Sequence, residues 1–193
     1  MGIISVIKKS NYKIAIWEIT ETLEELLEIG SPIKIPDFNN KKRRLEWLII
    51  RLLIQKISPK STLSYNKFKA PILNDNNYIS ISHSKTLVAI IISKRKAGMD
   101  IENISNKALE ISSKFISKNN LKGLSSTKAT LIWCCKEAIY KWHQKGGVDF
   151  IKDIIIPPFS IKEKGKITAQ FKNTPLTLSY TKINSHFLVY VCN

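Results

Sequence analysis

Apolar positions along the chain fall into short runs of period two and two long runs of period near 3.6. Ile3 to Ile7 and Lys13 to Glu18 read as strands, the second partly alternating. Glu18 to Glu28 carries five acids, and a short helix over Thr22 to Leu27 is expected to end near Gly30. Pro32 and Pro36 mark a loop. A long helix from Asn40 to Ile57 turns Leu45, Leu48, Ile49 and Leu52 inward and is stopped by Ser58-Pro59. After Tyr65 to Pro71 come a turn at Asn74-Asp75-Asn76-Asn77 and strands over Tyr78 to Ser82 and Thr86 to Ser93. The rest predicts a strand over Met99 to Glu102, then helices over Asn106 to Ile116 and Thr127 to Gln144. Strands over Ile154 to Ile161, Gly165 to Phe171, Leu176 to Thr181 and His186 to Cys192 follow. Gly146-Gly147 offers an end for the last helix, and Pro157-Pro158 a bend or sheet edge. The order strand, helices, strands therefore occurs twice, which predicts an α+β chain.

The second long helix has two distinct sides. Leu131, Ile132, Cys135, Ile139 and Trp142 form an apolar stripe, while Trp133, Glu137 and Lys141 stand at i, i+4 and i+8 beside it. A carboxylate and an ammonium are thus stacked at the edge of a buried face. On the helix alone the ordinary account is a surface ion pair of about 0.3–0.5 kcal/mol.

A second feature changes that balance. If Gly98-Met99-Asp100-Ile101-Glu102 is extended, Asp100 and Glu102 share one face and Met99 and Ile101 the other. Two like charges on one strand face repel, and a bound cation relieves them. Mg²⁺ suits such a site, because it takes carboxylate oxygens and leaves positions for phosphates. Glu137 is the natural third ligand.

Length and composition bound the rest. The 193 residues make one or two small domains with an ample core, and 44% hydrophobic residues fit a globular protein. No apolar run approaches the roughly eighteen residues of a membrane span. The N-terminus has no basic leader, and Val6 replaces the Ser or Thr of a myristoylation signal, so a cytoplasmic protein is expected. Cys134, Cys135 and Cys192 are odd in number, and adjacent helical cysteines diverge by about 100°; neither a disulfide framework nor a zinc site is expected, with His83, His143 and His186 scattered. The net charge of +16 admits nucleic-acid binding, an acidic partner, or a genome rich in Lys, Ile and Asn codons. No RNP signature, zinc finger or basic zipper region is present. Lys41 to Arg44 put four cations at a helix start, where an anion would relieve the unfavourable dipole, although a solvated basic surface is the plainer account. Arg51, among apolar neighbours, needs a partner.

Gly98-Met99-Asp100-Ile101-Glu102 followed by Trp133-Cys134-Cys135-Lys136-Glu137-Ala138-Ile139-Tyr140-Lys141 resembles the paired signature of the 4'-phosphopantetheinyl transferases, Gly-x-Asp-x-Glu and Trp-x-x-Lys-Glu-x-x-x-Lys. Ser80-Ile81-Ser82-His83-Ser84 is similar to the family's Asn-x-Ser-His-Ser, and Lys42-Arg43-Arg44-Leu45-Glu46-Trp47 through Arg51 extends the likeness into the first half. The resemblance implies two similar α+β halves in one chain, related by a pseudo-twofold, with the active site between them. The halves would span residues 1–97 and 98–193, the second carrying the metal-ligand motifs. This is the larger, Sfp-like type, for which a monomer is expected.

The implied reaction moves the 4'-phosphopantetheine arm of coenzyme A onto a Ser hydroxyl of an acyl or peptidyl carrier protein, releasing adenosine 3',5'-bisphosphate. Asp100, Glu102 and Glu137 would hold Mg²⁺; Glu137 would take the Ser proton and Lys141 would stabilise charge on the diphosphate. Arg51, Ser82, His83, Lys136 and Lys141 would bind coenzyme A. The basic surface would steer an acidic carrier, and no membrane or nucleic-acid partner is expected. Three departures bear on activity. Lys69-Ala70-Pro71 stands where Gly-Lys-Pro is usual, Asn120 where Phe-Phe-Ser-x-x-Glu has its Glu, and Ser80 where the Ser-His motif has Asn. The alternatives are a coenzyme A-binding homologue without transferase activity and a basic nucleic-acid-binding protein.

Overall fold

The computed structural model describes residues 2–29 and 35–193, so the helix end expected at Gly30 and the loop mark at Pro32 lie outside the described residues. It is a mixed α+β chain that divides into two compact units, Met1–Arg95 and Lys96–Asn193.

In the first unit, β1 (Ile3–Lys8) and β2 (Tyr12–Glu18) form a hairpin, followed by helices α1 (Leu23–Ile29) and α2 (Lys41–Ile57). Thr22 and Glu25 close a reciprocal capping box on α1, each accepting from the other's backbone N–H. Asn40 caps α2 by accepting from Arg43 N. A small hairpin of β3 (Leu63–Tyr65) and β4 (Pro71–Leu73) follows, then β5 (Tyr78–His83) and β6 (Leu87–Ser93). The antiparallel sheet runs β1-β2-β6-β5. Its core packs Ala15, Trp17, Val88 and Ile90 with Leu48, Ile49, Leu52 and Leu53 of α2, so the apolar stripe read from the sequence is the stripe that is buried.

The second unit begins with β7 (Ala97–Asn103), followed by α3 (Asn106–Glu110), α4 (Ser126–His143), β8 (Ile154–Ile155), β9 (Lys164–Phe171), β10 (Thr174–Ile183) and β11 (His186–Cys192). The antiparallel order is β7-β11-β10-β9-β8. Among the described residues β7 is therefore an edge strand, paired with β11. α4 lies across this sheet; Leu131, Cys134, Cys135, Ala138 and Ile139 meet Phe187, Val189 and Val191.

Two expected elements differ. The helix over Asn106 to Ile116 stops at Glu110 and continues as a 3-10 turn, Ser112–Lys114. Ile111 is β-branched and two serines follow, so propensity gives little drive to continue, and buried Phe115 and Ile116 pack as a separate cluster. The strand over Ile154 to Ile161 is only two residues, since Pro157 and Pro158 have no N–H for a ladder. The last long helix keeps its expected extent, and its stop is the left-handed cap Gln144, with φ of 60°, rather than Gly146-Gly147. Pro71 opens β4 of a hairpin that the alternation had not resolved.

Candidate active site

Strand β7 and helix α4 carry the carboxylates. Phe187 pairs with Glu102, Val189 with Asp100 and Val191 with Gly98, and these three β11 residues face α4. Gly98, Asp100 and Glu102 therefore share that face, as period two requires. Gly98 is what permits the approach: a Cβ there would overlap Ala138 O and the Trp142 backbone N.

Asp100 is buried, and both its oxygens are engaged. Lys141 Nζ donates to Oδ1 at 2.7 Å, and Cys134 Sγ donates to Oδ2 at 3.2 Å. The Lys141 ammonium is therefore paired across to the strand, and Glu137, one turn away on its own helix, acts on it through its charge. Burial lowers the Lys141 pKa, but Asp100 and then Glu137 outweigh it, and the net shift is upward. Burial raises the Glu102 carboxyl, Asp100 raises it further, and an indole hydrogen bond from Trp133 opposes them. Burial, then Asp100, then Glu102 push Glu137 up to about 7, against the pull of Lys141. The three carboxylates are thus close enough to feel one another, and Trp133 sits against Phe115 and Phe150 on the far side of Glu102. Glu102 and Trp133 also line a hollow of about 80 Å³ with Asn103, Ser105, Lys107 and Thr130.

The donor set is chemically that of a hard divalent cation: oxygen only, three carboxylates, two of them made hard to ionise by burial first and then by the charge of Asp100. Among the described residues, no group of three or more His, Cys, Asp or Glu side chains is gathered in a metal-holding arrangement. The cation at Asp100 is Lys141.

Lys136 turns the other way. Its ammonium is buried and donates to Phe150 O at 2.5 Å and Ile154 O at 2.6 Å, which pins the segment after α4 beneath the helix. Burial lowers its pKa to about 8. The resemblance implies a phosphate contact for Lys136; here its ammonium is engaged by these two carbonyls. Asn120 lines the same hollow of about 180 Å³ as Lys136, with Phe115, Ile132 and Ile154, and that hollow is not lined by Asp100, Glu102 or Glu137. The missing Glu at this position thus concerns Lys136 and leaves the carboxylate cluster as it is.

The first unit holds a basic cradle. Glu46 is buried in α2 and gathers Lys42 at 3.6 Å, Arg43 at 3.7 Å and His83 Nδ1 at 3.3 Å. Arg43 Nη1 can only donate, so at 3.4 Å His83 Nε2 accepts from it, and the ring proton belongs on Nδ1 toward Glu46. Lys42 Nζ also donates to Ser84 O at 3.2 Å. His83 ends β5 on the side of Ile79 and Ile81, which face α2; Ser82, on the opposite face, is buried. Arg51 stacks on the Trp47 ring, 3.3 Å from its centroid, and donates to Trp47 O, so its partner is within α2. Lys69, at the tip of the β3–β4 hairpin, has φ of 62°, a conformation that favours the glycine of the family's Gly-Lys-Pro. The sequence reading did not single out Cys134 or Glu46 as site residues. Glu46 could have been found as the one acid in a basic helix start.

No protein-family model matches the chain, and no curated protein does. No helix among the described residues is long and apolar enough to cross a membrane.

Proposed function

We propose that this protein is a 4'-phosphopantetheinyl transferase, moving the arm of coenzyme A to a Ser hydroxyl of a carrier protein. The observation that carries the reading is the Lys141–Asp100 pair that joins α4 to β7, with the Glu137 carboxyl raised by burial and then by the charge of Asp100 to about 7. These are the residues of the two motifs that resemble the family. The two-half, pseudo-twofold architecture, the monomer and the cytoplasmic location belong to the same proposal.

In this reading Glu137 takes the proton of the attacking Ser, for which a pKa near neutrality is suited. The Ser oxygen bonds to the phosphorus bearing the pantetheine arm, the diphosphate P–O bond breaks, and adenosine 3',5'-bisphosphate leaves with the electron pair. Lys141 supplies positive charge beside the reacting phosphate. Lys42 and Arg43 offer donors to phosphate oxygens, with buried Glu46, braced by His83, fixing their positions. Mg²⁺, which Asp100, Glu102 and Glu137 would hold, supplies neutralisation of the diphosphate charge. The +16 charge draws an acidic carrier.

A second reading is a coenzyme A-binding protein without the transfer step. Lys141 favours it, because the ammonium covers an Asp100 oxygen. Incubation with coenzyme A, Mg²⁺ and a panel of apo-carriers separates the two. The transferase reading expects a mass gain of one arm on a carrier, and the second expects a coenzyme A-dependent rise in Tm with no carrier modified.

A further inference from the structure

Cys134 follows Trp133 in α4 and points into the sheet, fully buried. Its thiol reaches two acceptors, Asp100 Oδ2 at 3.2 Å on β7 and Phe187 O at 3.4 Å on β11. Phe187 and Val189 are the β11 partners of Glu102 and Asp100, so the sulfur sits over the pairing of the two strands beside the carboxylates. On the other Asp100 oxygen is the Lys141 ammonium.

We propose that Cys134 is a positioning residue, whose S–H holds the Asp100 carboxylate in the rotamer that presents Oδ1 to Lys141. The terminal torsion of an Asp side chain is broad. A donor on Oδ2 adds a second restraint to the one Lys141 places on Oδ1. Lys141 is tethered through the same carboxylate, so the thiol reaches the reacting region only through Asp100. An alanine would leave Oδ2 buried without that donor, whereas serine would keep an O–H at nearly the same place.

The bond itself does not depend on the transferase reading; its consequence for turnover does. In the Raman spectrum the S–H band lost in Cys134→Ser identifies Cys134. It is expected below the band of Cys135, and to rise in Asp100→Ala. A Cys134 band at the frequency of the Cys135 thiol overturns the proposal. The ¹⁵N resonance of the Lys141 ammonium is expected to shift and broaden in Cys134→Ala and to return in Cys134→Ser. An unchanged Lys141 signal in the folded alanine variant also overturns it. Where wild type transfers the arm, Cys134→Ala is expected to lower kcat about tenfold with the KM for coenzyme A unchanged, serine recovering most of it and Cys135→Ala leaving kcat as it was. Equal kcat in wild type and Cys134→Ala contradicts the positioning role. A wild type that transfers nothing, with the Raman and NMR results as expected, sinks the transferase reading and leaves the positioning intact.

Discussion

Lys141 Nζ lies 2.7 Å from Asp100 Oδ1, and this pair joins helix α4 to the edge strand β7 where Glu102 and Glu137 also converge. The two partners are not equivalent. The Asp100 side chain is 4% exposed and Lys141 26%, so removing the ammonium strands a buried anion among two other carboxylates. Lys141→Met is therefore expected to cost about 2–4 kcal/mol and Asp100→Ala less, since the freed ammonium still has Glu137 and water. Urea denaturation of both variants and the double variant tests this. A double variant as unstable as the sum of the singles contradicts the pairing.

The Glu137 carboxyl titrates near 7 in the folded chain against an ordinary 4.5. Between those values the native state binds more protons than the unfolded one, so this group's contribution to stability is fully present below the lower value. It is lost as pH rises through 7. Tm is expected to decline over that window in wild type and to decline less in Glu137→Gln. Parallel curves would show that Glu137 is solvated and ordinary.

Lys136 has the opposite dependence. Its folded pKa of about 8 lies below the usual 10.5, so the native state holds fewer protons between the two and stability rises with pH there. Asn120 lines the same hollow, and Asn120→Glu would give the ammonium a carboxylate. The variant is expected to flatten the rise between pH 8 and 10.5 and to gain on the order of 1 kcal/mol at pH 7. Melting curves that match wild type at every pH would show that position 120 does not reach Lys136.

At Gly98 the expectation is steric. A methyl group meets backbone atoms of α4, which cannot move as a side chain end can, so Gly98→Ala is expected to cost roughly 3 kcal/mol or more and to disturb the Lys141–Asp100 pair. An alanine variant as stable as wild type, by urea midpoint, would show that strand and helix do not pack this closely.

Much of this was legible in the sequence because it rests on periodicity. Period two placed Asp100 and Glu102 on one face of β7, and the apolar stripe of α2 is the one that packs on its sheet. What eluded pattern was set by partners distant in sequence. Lys136 looks like one more basic residue of a phosphate grip until the carbonyls of Phe150 and Ile154 are brought beneath it. Cys134 lies outside the apolar stripe read by spacing, yet it is buried because α4 crosses two strands and presents a wider face than one row of residues. Gln144 ends α4 in a conformation more usual for glycine, a terminal detail that weak propensities do not fix.

The central claim is that Glu137 and its neighbours perform the transfer of a phosphopantetheine arm. The direct measurement is intact-mass analysis of apo-carrier proteins incubated with the wild-type protein, coenzyme A and Mg²⁺, with Glu137→Gln alongside. The account predicts that wild type adds one arm to the Ser of at least one carrier and releases adenosine 3',5'-bisphosphate, and that Glu137→Gln, folded with a Tm no lower than that of wild type, adds none. Equal modification by both proteins, or none by wild type across acyl and peptidyl carriers, would contradict it.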